Sequence, residues 1–179
     1  MKNVVKILML GFIALGFAFS SHAQNPQVQA TATAEGTLIT TISITKTVDM
    51  NFGNFSVKDD QAGTVVLDPA TGLRSKTLGV SLPTFDVGTV AVAEFLVEGQ
   101  GAYTFAVEIP ASGAVTTITR EGGSESMDVD SWTVYPASSW ALSGGEATIK
   151  VGATLHVPQE QAPGVYISGT PFVVKVNYN

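Results

Sequence analysis

The stretch that decides the fold is the C-terminal end of the chain, residues 163–179, which reads Pro-Gly-Val-Tyr-Ile-Ser-Gly-Thr-Pro-Phe-Val-Val-Lys-Val-Asn-Tyr-Asn. Its apolar residues recur at every second position, with polar Lys175 and Asn177 between the later ones. A period of two is typical of a strand with one buried face. A chain end frays unless it is docked, so we predict that this strand closes the protein's own sheet. The predicted closing-strand residues are Phe172, Val174, Val176 and Tyr178.

The rest of the chain also consists of short candidate strands and shows no helical periodicity. Two stretches alternate clearly, residues 103–109 and residues 147–157. Gly, Pro, Asn, Asp and Ser separate the candidate strands, as in an all-β protein. The spacing predicts an Ig-like antiparallel β-sandwich, with residues 99–101 (Gly-Gln-Gly) as a hairpin or a tight corner between antiparallel neighbours. The predicted strands span 38–47, 64–68, 76–82, 90–98, 103–109, 115–120, 131–135, 147–157 and 172–178.

The N-terminal end has the pattern of a secretory signal peptide. Lys2 and Lys6 precede an uncharged apolar run of 13 residues, and Ser21-His22-Ala23 places small residues at a cleavage site. As a helix this run would extend only about 20 Å, too short for a bilayer core of roughly 30 Å. We therefore predict cleavage before Gln24, with no membrane insertion of the mature chain. The expected organisation is a signal peptide over 1–23, an N-terminal extension or split first strand over 24–36, and a β-sandwich over 37–179.

Composition restricts the function classes. Cleavage would leave seven basic against 15 acidic residues, a net charge of −8, and such a surface argues against nucleic acid as a partner. The chain has no cysteine, which excludes disulfides, thiol catalysis and thiolate metal sites. We expect a secreted protein of the periplasm, the cell surface or the extracellular space.

The extension carries an alternating pattern of its own. Small or apolar residues occupy every second position from residue 28 to residue 34, and polar residues lie between them. The alternation continues to Ile44, and these 17 residues would extend beyond 50 Å, too long for one strand, so we predict a break at Gly36. Two hypotheses follow: the segment is a split first strand of its own sandwich, or it is a donor strand that completes the sheet of another subunit. The candidate strand-complementation residues are Val28, Ala30, Ala32 and Ala34.

Several longer motifs support a resemblance to a known family. They are Ala-Thr-Ala-Thr-Ala at 30–34, Asp-Met-Asn-Phe-Gly-Asn-Phe at 49–55, Gly-Thr-Val-Val-Leu-Asp-Pro at 63–69, Gly-Ala-Thr-Leu-His-Val-Pro at 152–158, Ala-Pro-Gly-Val-Tyr at 162–166 and Val-Lys-Val-Asn-Tyr-Asn at 174–179. The mature chain resembles small secreted bacterial proteins that carry a domain of unknown function and are related to Mat-type common-pilus major subunits and spore coat protein U. The resemblance implies an exported Ig-like sandwich with pilin-like assembly by strand complementation. Several relatives carry a disulfide, which this chain cannot form.

Candidates for other chemistry are few. His156 is the only histidine after the signal peptide, and no serine elbow or paired carboxylate accompanies it, so we predict a surface imidazole and no enzyme. Residues 125–131 group three carboxylates in a stretch that we interpret as a solvated loop, with a calcium site as the weaker alternative. For residues 51–55 we predict a strand edge or bulge at Gly53 that brings two phenylalanines into the core.

Trp132, Tyr135 and Trp140 leave a carbohydrate-binding module as an alternative function. Stacking of exposed aromatics on sugar rings is the chemistry that such a module needs, but a tryptophan in a sandwich strand usually packs in the core. We therefore expect a secreted structural or adhesive subunit of the cell envelope, possessing no cofactor or metal site. Its expected partners are further copies of itself or related envelope subunits, with a glycan as the alternative.

Overall fold

The computed structural model describes residues 27–179, so the expected signal peptide and the start of the extension lie outside the described residues. These residues contain no α-helix, and therefore none that could cross a membrane. The chain divides after Thr37 into two units, and every described strand belongs to the second, residues 38–179. The predicted all-β antiparallel sandwich is confirmed. Its strands are β1 (Ser43–Val48), β2 (Asn51–Phe52), β3 (Ser56–Val57), β4 (Gly63–Leu67), β5 (Arg74–Leu78), β6 (Val80–Ser81), β7 (Val90–Ala91), β8 (Ala93–Glu98), β9 (Phe105–Glu108), β10 (Thr116–Arg120), β11 (Ser126–Tyr135), β12 (Glu146–Val157), β13 (Tyr166–Ser168) and β14 (Lys175–Tyr178).

The longest strand, β12, organises the main sheet of eight strands. One edge of β12 pairs with β11, and the sheet continues from β11 through β10 to β13. The other edge pairs first with β8 and then with β4. Gly152 lies at this exchange of partners, where a Cβ atom would overlap the Leu67 carbonyl oxygen. Glycine is therefore required there for the close approach of two backbones.

The alternation predicted for β12 is confirmed by burial. Ile149, Val151, Ala153, Leu155 and Val157 are all at most 2% exposed, whereas Thr148 and His156 face solvent. The apolar face contributes to two clusters. One surrounds Leu67 and Leu155, and the other is covered by the small sheet of β9 and β14.

The first paired strand is shorter than predicted. We predicted a strand from residue 38, but β1 begins at Ser43, which pairs with Glu98. β8 ends at Glu98, so among residues 27–179 no partner strand continues the ladder toward Leu38. Residues 27–37 contain no strand.

Three further expectations need correction. Residues 99–101 form the corner and not the hairpin, because β8 pairs with β1 and β12 while β9 pairs with β14. Residues 126–130 belong to β11 and are not a loop, because Met127 and Val129 are buried while Asp128 faces out. The prediction also missed β13, a short strand on β10 that follows the turn at Gly164.

Candidate functional site

An apolar groove of about 830 Å³ opens in the unit formed by residues 38–179. Its floor is the inner face of the main sheet, including Phe95, Met127, Val129 and Leu155. One wall consists of β1 and the segment that follows it through residue 55. The other wall consists of residues 164–168 and 171–174, which lead into the C-terminal strand. The groove thus lies over the core, between two chain segments that do not pair with each other.

The two walls run in opposite directions and meet at one end. Near the start of β1, the Tyr178 hydroxyl donates a hydrogen bond of 2.9 Å to the Thr40 carbonyl oxygen. Further along, the ring of Phe172 meets Phe95, which pairs with Lys46 of β1. We call the end of the groove at Ile44 and Val174, which points toward the Thr40 and Tyr178 contact, the narrow end, and the end at residues 53–55 and 164–165 the open end.

The wall that follows β1 is held by side chains that fix its backbone. Gly53 adopts a φ of 66°, a conformation that glycine tolerates best. Arg74 Nη1 donates to the carbonyl oxygens of Phe52 and Asn54, at 2.6 and 2.7 Å. Phe52 and Phe55 both pack on the first core cluster, as predicted for this block. The wall is therefore rigidly attached to the sandwich.

In the opposite wall, residues 166–168 form β13 and pair with β10, whereas residues 171–174 are free of strand pairing. We predicted a strand over 172–178, but pairing with β9 covers only Lys175 to Tyr178. The partner strand ends at Glu108, and Pro110 follows shortly, which lacks the N–H that a longer ladder would need. Among residues 27–179, no strand pairs with 171–174. The side chains still alternate there, with Phe172 and Val174 half-buried and Val173 62% exposed.

The four predicted closing-strand residues are therefore divided between two roles. Val176 and Tyr178 pair with Val107 and Phe105 and pack on the second core cluster. Phe172 and Val174 line the groove ahead of the paired part. The sequence pattern found the alternating face, but it did not separate the paired from the unpaired half.

The predicted complementation residues lie in the other unit of the chain. Val28, Ala30, Ala32 and Ala34 are exposed, Val28 by 95%, and they take part in no described strand. The described structure therefore shows neither a split first strand nor a paired donor strand in this segment.

The aromatic residues of the carbohydrate hypothesis do not form a common exposed surface. Trp132 packs against Phe172 with ring centroids 4.5 Å apart, and its Nε1 donates to the Ala114 carbonyl oxygen at 2.9 Å. Trp140 packs on the second core cluster and donates its Nε1 to Pro136. Tyr135 is 47% exposed. Trp132 is thus a groove residue, which the sequence pattern did not reveal.

The carboxylates of residues 125–131 are held apart by different partners. Arg120 forms two hydrogen bonds with Glu125, of 2.8 and 3.0 Å, and they lower the pKa of Glu125 to about 2. Asp128 accepts a hydrogen bond from Thr117. A hydrogen bond with His156 Nε2, at 2.8 Å, lowers the pKa of Asp130. Among residues 27–179, no three acidic or histidine side chains are grouped as metal ligands.

Fold and groove together define the class of protein: an antiparallel β-sandwich domain that leaves an apolar groove open beside its last strand. The chain belongs to the family described as Domain of unknown function (DUF4402), whose model matches residues 42–178. The match contains every strand from β1 to β14. No curated protein and no solved structure matches the chain.

Proposed function

We propose that this protein is a secreted structural or adhesive subunit of the cell envelope that assembles by β-strand complementation. Residues 28–35 of one copy insert into the groove of the next, the mode of assembly that the resemblance to Mat-type pilus subunits implies. The observation that carries the proposal is the extended, unpaired backbone of residues 171–174 beside an open apolar groove.

The backbone provides the first argument. An unpaired edge presents N–H and C=O groups to any extended segment that approaches it, and a complementary strand satisfies them. β1 pairs only with β8 within the described residues, and its Ile44 and Lys46 line the groove. A strand placed between β1 and residues 171–174 has backbone partners on both sides.

The side chains provide the second argument. Phe95, Ile118 and Phe172 line the groove as half-buried apolar side chains, and an apolar strand face that covers their remaining surface would contribute about 25 cal/mol per Å² buried. Residues 28–35 offer such a face, with Val28, Ala30 and Ala32 on one side and polar residues on the other. Small side chains allow the inserted backbone to approach the walls closely enough for hydrogen bonding.

Deletion of residues 24–35 tests this proposal. Full-length secreted protein should form ladders on unheated denaturing gels, and the shortened protein should migrate as a monomer. Identical monomeric behaviour of both proteins would reject assembly by this segment.

A matched pair of substitutions controls for the deletion. Ala32→Asp places a carboxylate on the face that enters the groove, where burial of an unpaired charge is strongly unfavourable, and it should abolish the ladders. Thr33→Asp places the same charge on the outer face and should leave the ladders intact. Equal loss in both variants would contradict the alternating insertion.

A further inference from the structure

We propose that the groove selects an inserted strand whose inward side chains are small, and that Trp132 and Phe172 are the residues that impose this selection. This inference rests on the proposed function, because it names the class of segment that the groove accepts. It also predicts that a more apolar segment with larger side chains assembles less well than the natural one.

The floor of the groove is covered by other side chains of the same domain. Met127, Val129 and Leu155 line the groove, yet each of them is at most 3% exposed. Half-buried side chains that also line the groove, including Ile118 and Trp132, pack against these floor residues. An inserted strand therefore meets this outer layer of side chains before it meets the floor.

Three of the lining residues form an aromatic cluster, which we define as Phe95, Trp132 and Phe172. The Phe172 ring lies 4.5 Å from the Trp132 ring and 6.3 Å from the Phe95 ring, measured between centroids. The Trp132 Nε1 donates a hydrogen bond of 2.9 Å to the Ala114 carbonyl oxygen, which fixes the orientation of the indole. Phe95 lies on β8, the strand that pairs with β1, whereas Phe172 belongs to the opposite wall. The rings therefore occupy the groove between its two walls.

A β-bulge in β11 turns Trp132 toward the groove. Val129 faces inward, and uninterrupted alternation would turn Ser131 inward and Trp132 toward solvent. Instead, the pairing of β11 with β12 shifts register between Asp130 and Thr133, and Ser131 adopts a φ of 51°. Bulges re-aim side chains in this way. The bulge thus places a large ring in the groove, where regular pairing would place a serine.

A large side chain on an inserted strand has to share the groove with these rings. Closely packed regions accept extra atoms only by displacing their neighbours, so such a side chain would push the strand away from its backbone partners. Residues 28–35 avoid this conflict, because Ala30, Ala32 and Ala34 each present only a methyl group. An open apolar groove would behave in the opposite way, since a larger apolar side chain would bury more surface and strengthen assembly.

Leucine substitution of the inward alanines measures the sign of this effect. Full-length Ala30→Leu, Ala32→Leu and Ala34→Leu are compared with the parent protein by the fraction of each that forms ladders on unheated denaturing gels. At the inward position that meets the aromatic cluster, we expect leucine to reduce this fraction at least tenfold. Thr33→Leu adds the same side chain to the outer face and is the matched control, which should assemble as the parent does.

Truncation of Phe172 tests whether the ring causes the loss. Phe172→Ala provides space for the leucine, so in the affected leucine variant it should restore most of the ladders. Val173→Ala shortens a neighbouring side chain that is 62% exposed, and it should restore none. Urea unfolding of the same substitutions in the protein lacking residues 24–35 checks that the domain remains folded.

Trp132 fluorescence gives a second measurement that leaves the aromatic cluster intact. The chain has two tryptophans, so Trp140→Phe leaves Trp132 as the only one. A strand that rests on the aromatic cluster shields the half-buried indole. We therefore expect acrylamide to quench Trp132 several-fold less in ladders than in the same variant without residues 24–35.

The possible outcomes separate this inference from the proposed function. Assembly of all three leucine variants at or above the parent level, or an equal loss in Thr33→Leu, would overturn the selection and leave strand complementation in place. Ladder loss that Phe172→Ala does not relieve, or unchanged quenching of Trp132 in ladders, would overturn the role of the aromatic cluster. Absence of ladders from the parent protein would overturn the proposed function, and this inference with it.

Discussion

The two hydrogen bonds of the Tyr178 hydroxyl make a prediction about stability that does not depend on assembly. Tyr178→Phe removes one hydrogen bond to the Thr40 carbonyl oxygen and one from the Gln100 N–H. A hydrogen bond contributes about 1 kcal/mol net, and the two groups are partly accessible to water once released, so we expect a loss of about 1–2 kcal/mol. For a domain of this size each kcal/mol lowers the unfolding midpoint by about 2–4 °C, so the expected shift is roughly 2–8 °C.

Thermal and urea unfolding of the protein lacking residues 24–35 measure this loss without interference from assembly. Tyr103→Phe is the matched control, since Tyr103 also contributes a ring to the pair with Tyr178 and is 47% exposed. Its midpoint should remain within about 1 °C of the parent protein. If Tyr178→Phe behaved like Tyr103→Phe, the Tyr178 hydroxyl would not stabilise the contact between the two walls, which would contradict this prediction.

Two further predictions concern the sandwich and its charges. Gly152→Ala should lower the free energy of unfolding in urea by about 2 kcal/mol or more, because the new Cβ would overlap the Leu67 carbonyl oxygen. Gly169 has open space around it, so Gly169→Ala is the control and should be nearly neutral. Equal effects of the two substitutions would refute the close approach at Gly152. The pKa of Glu125 is lowered to about 2 by Arg120, so its contribution to stability is fully present above pH 4.5 and is lost as the pH falls toward 2. Glu125→Gln should remove this part of the pH dependence of unfolding, and an unchanged pH profile would contradict the role of the ion pair.

Much of the fold follows from the sequence because period-two patterns report directly on a buried sheet face. The alternation in β12 predicted its five buried apolar residues, and the two glycines around Gln100 predicted a hairpin or a corner, of which the structure has the corner. The strand over residues 126–130 was predictable by the same rule, since Met127 and Val129 alternate with Asp128 and Asp130. The acidic composition of this stretch favoured a loop, but outward carboxylates are compatible with a strand that has one solvated face.

The groove depends on information that local patterns do not carry. Phe172 and Val174 show the same alternation as Val176 and Tyr178, and what separates them is the length of the partner strand, which ends at Glu108. The sequence pattern allowed Trp132 to be either a core residue or an exposed ring that stacks on sugars. Only the tertiary arrangement places it beside Phe172 in the groove. Pairing partners far apart in sequence therefore decide where the sheet stays open.

The hydrogen-bond network around the Tyr178 hydroxyl likewise could not be predicted from the sequence. It joins residues 40, 100 and 178, which come together only through the sandwich topology. The penultimate tyrosine of the chain was recognisable as part of a closing strand. The hydrogen-bond partners of its hydroxyl group were not recognisable from the sequence.

Backbone hydrogen exchange at residues 172–174 is the most direct test of strand complementation. These amides have no strand partner in the described structure, so they should exchange rapidly in the protein that lacks residues 24–35. In assembled full-length protein we predict that these amides exchange at least tenfold more slowly. Amides of β4 should show no comparable change, because β4 is far from the inserted strand in the pairing order of the sheet. Equally rapid exchange at residues 172–174 in the assembled and the shortened protein would contradict the account.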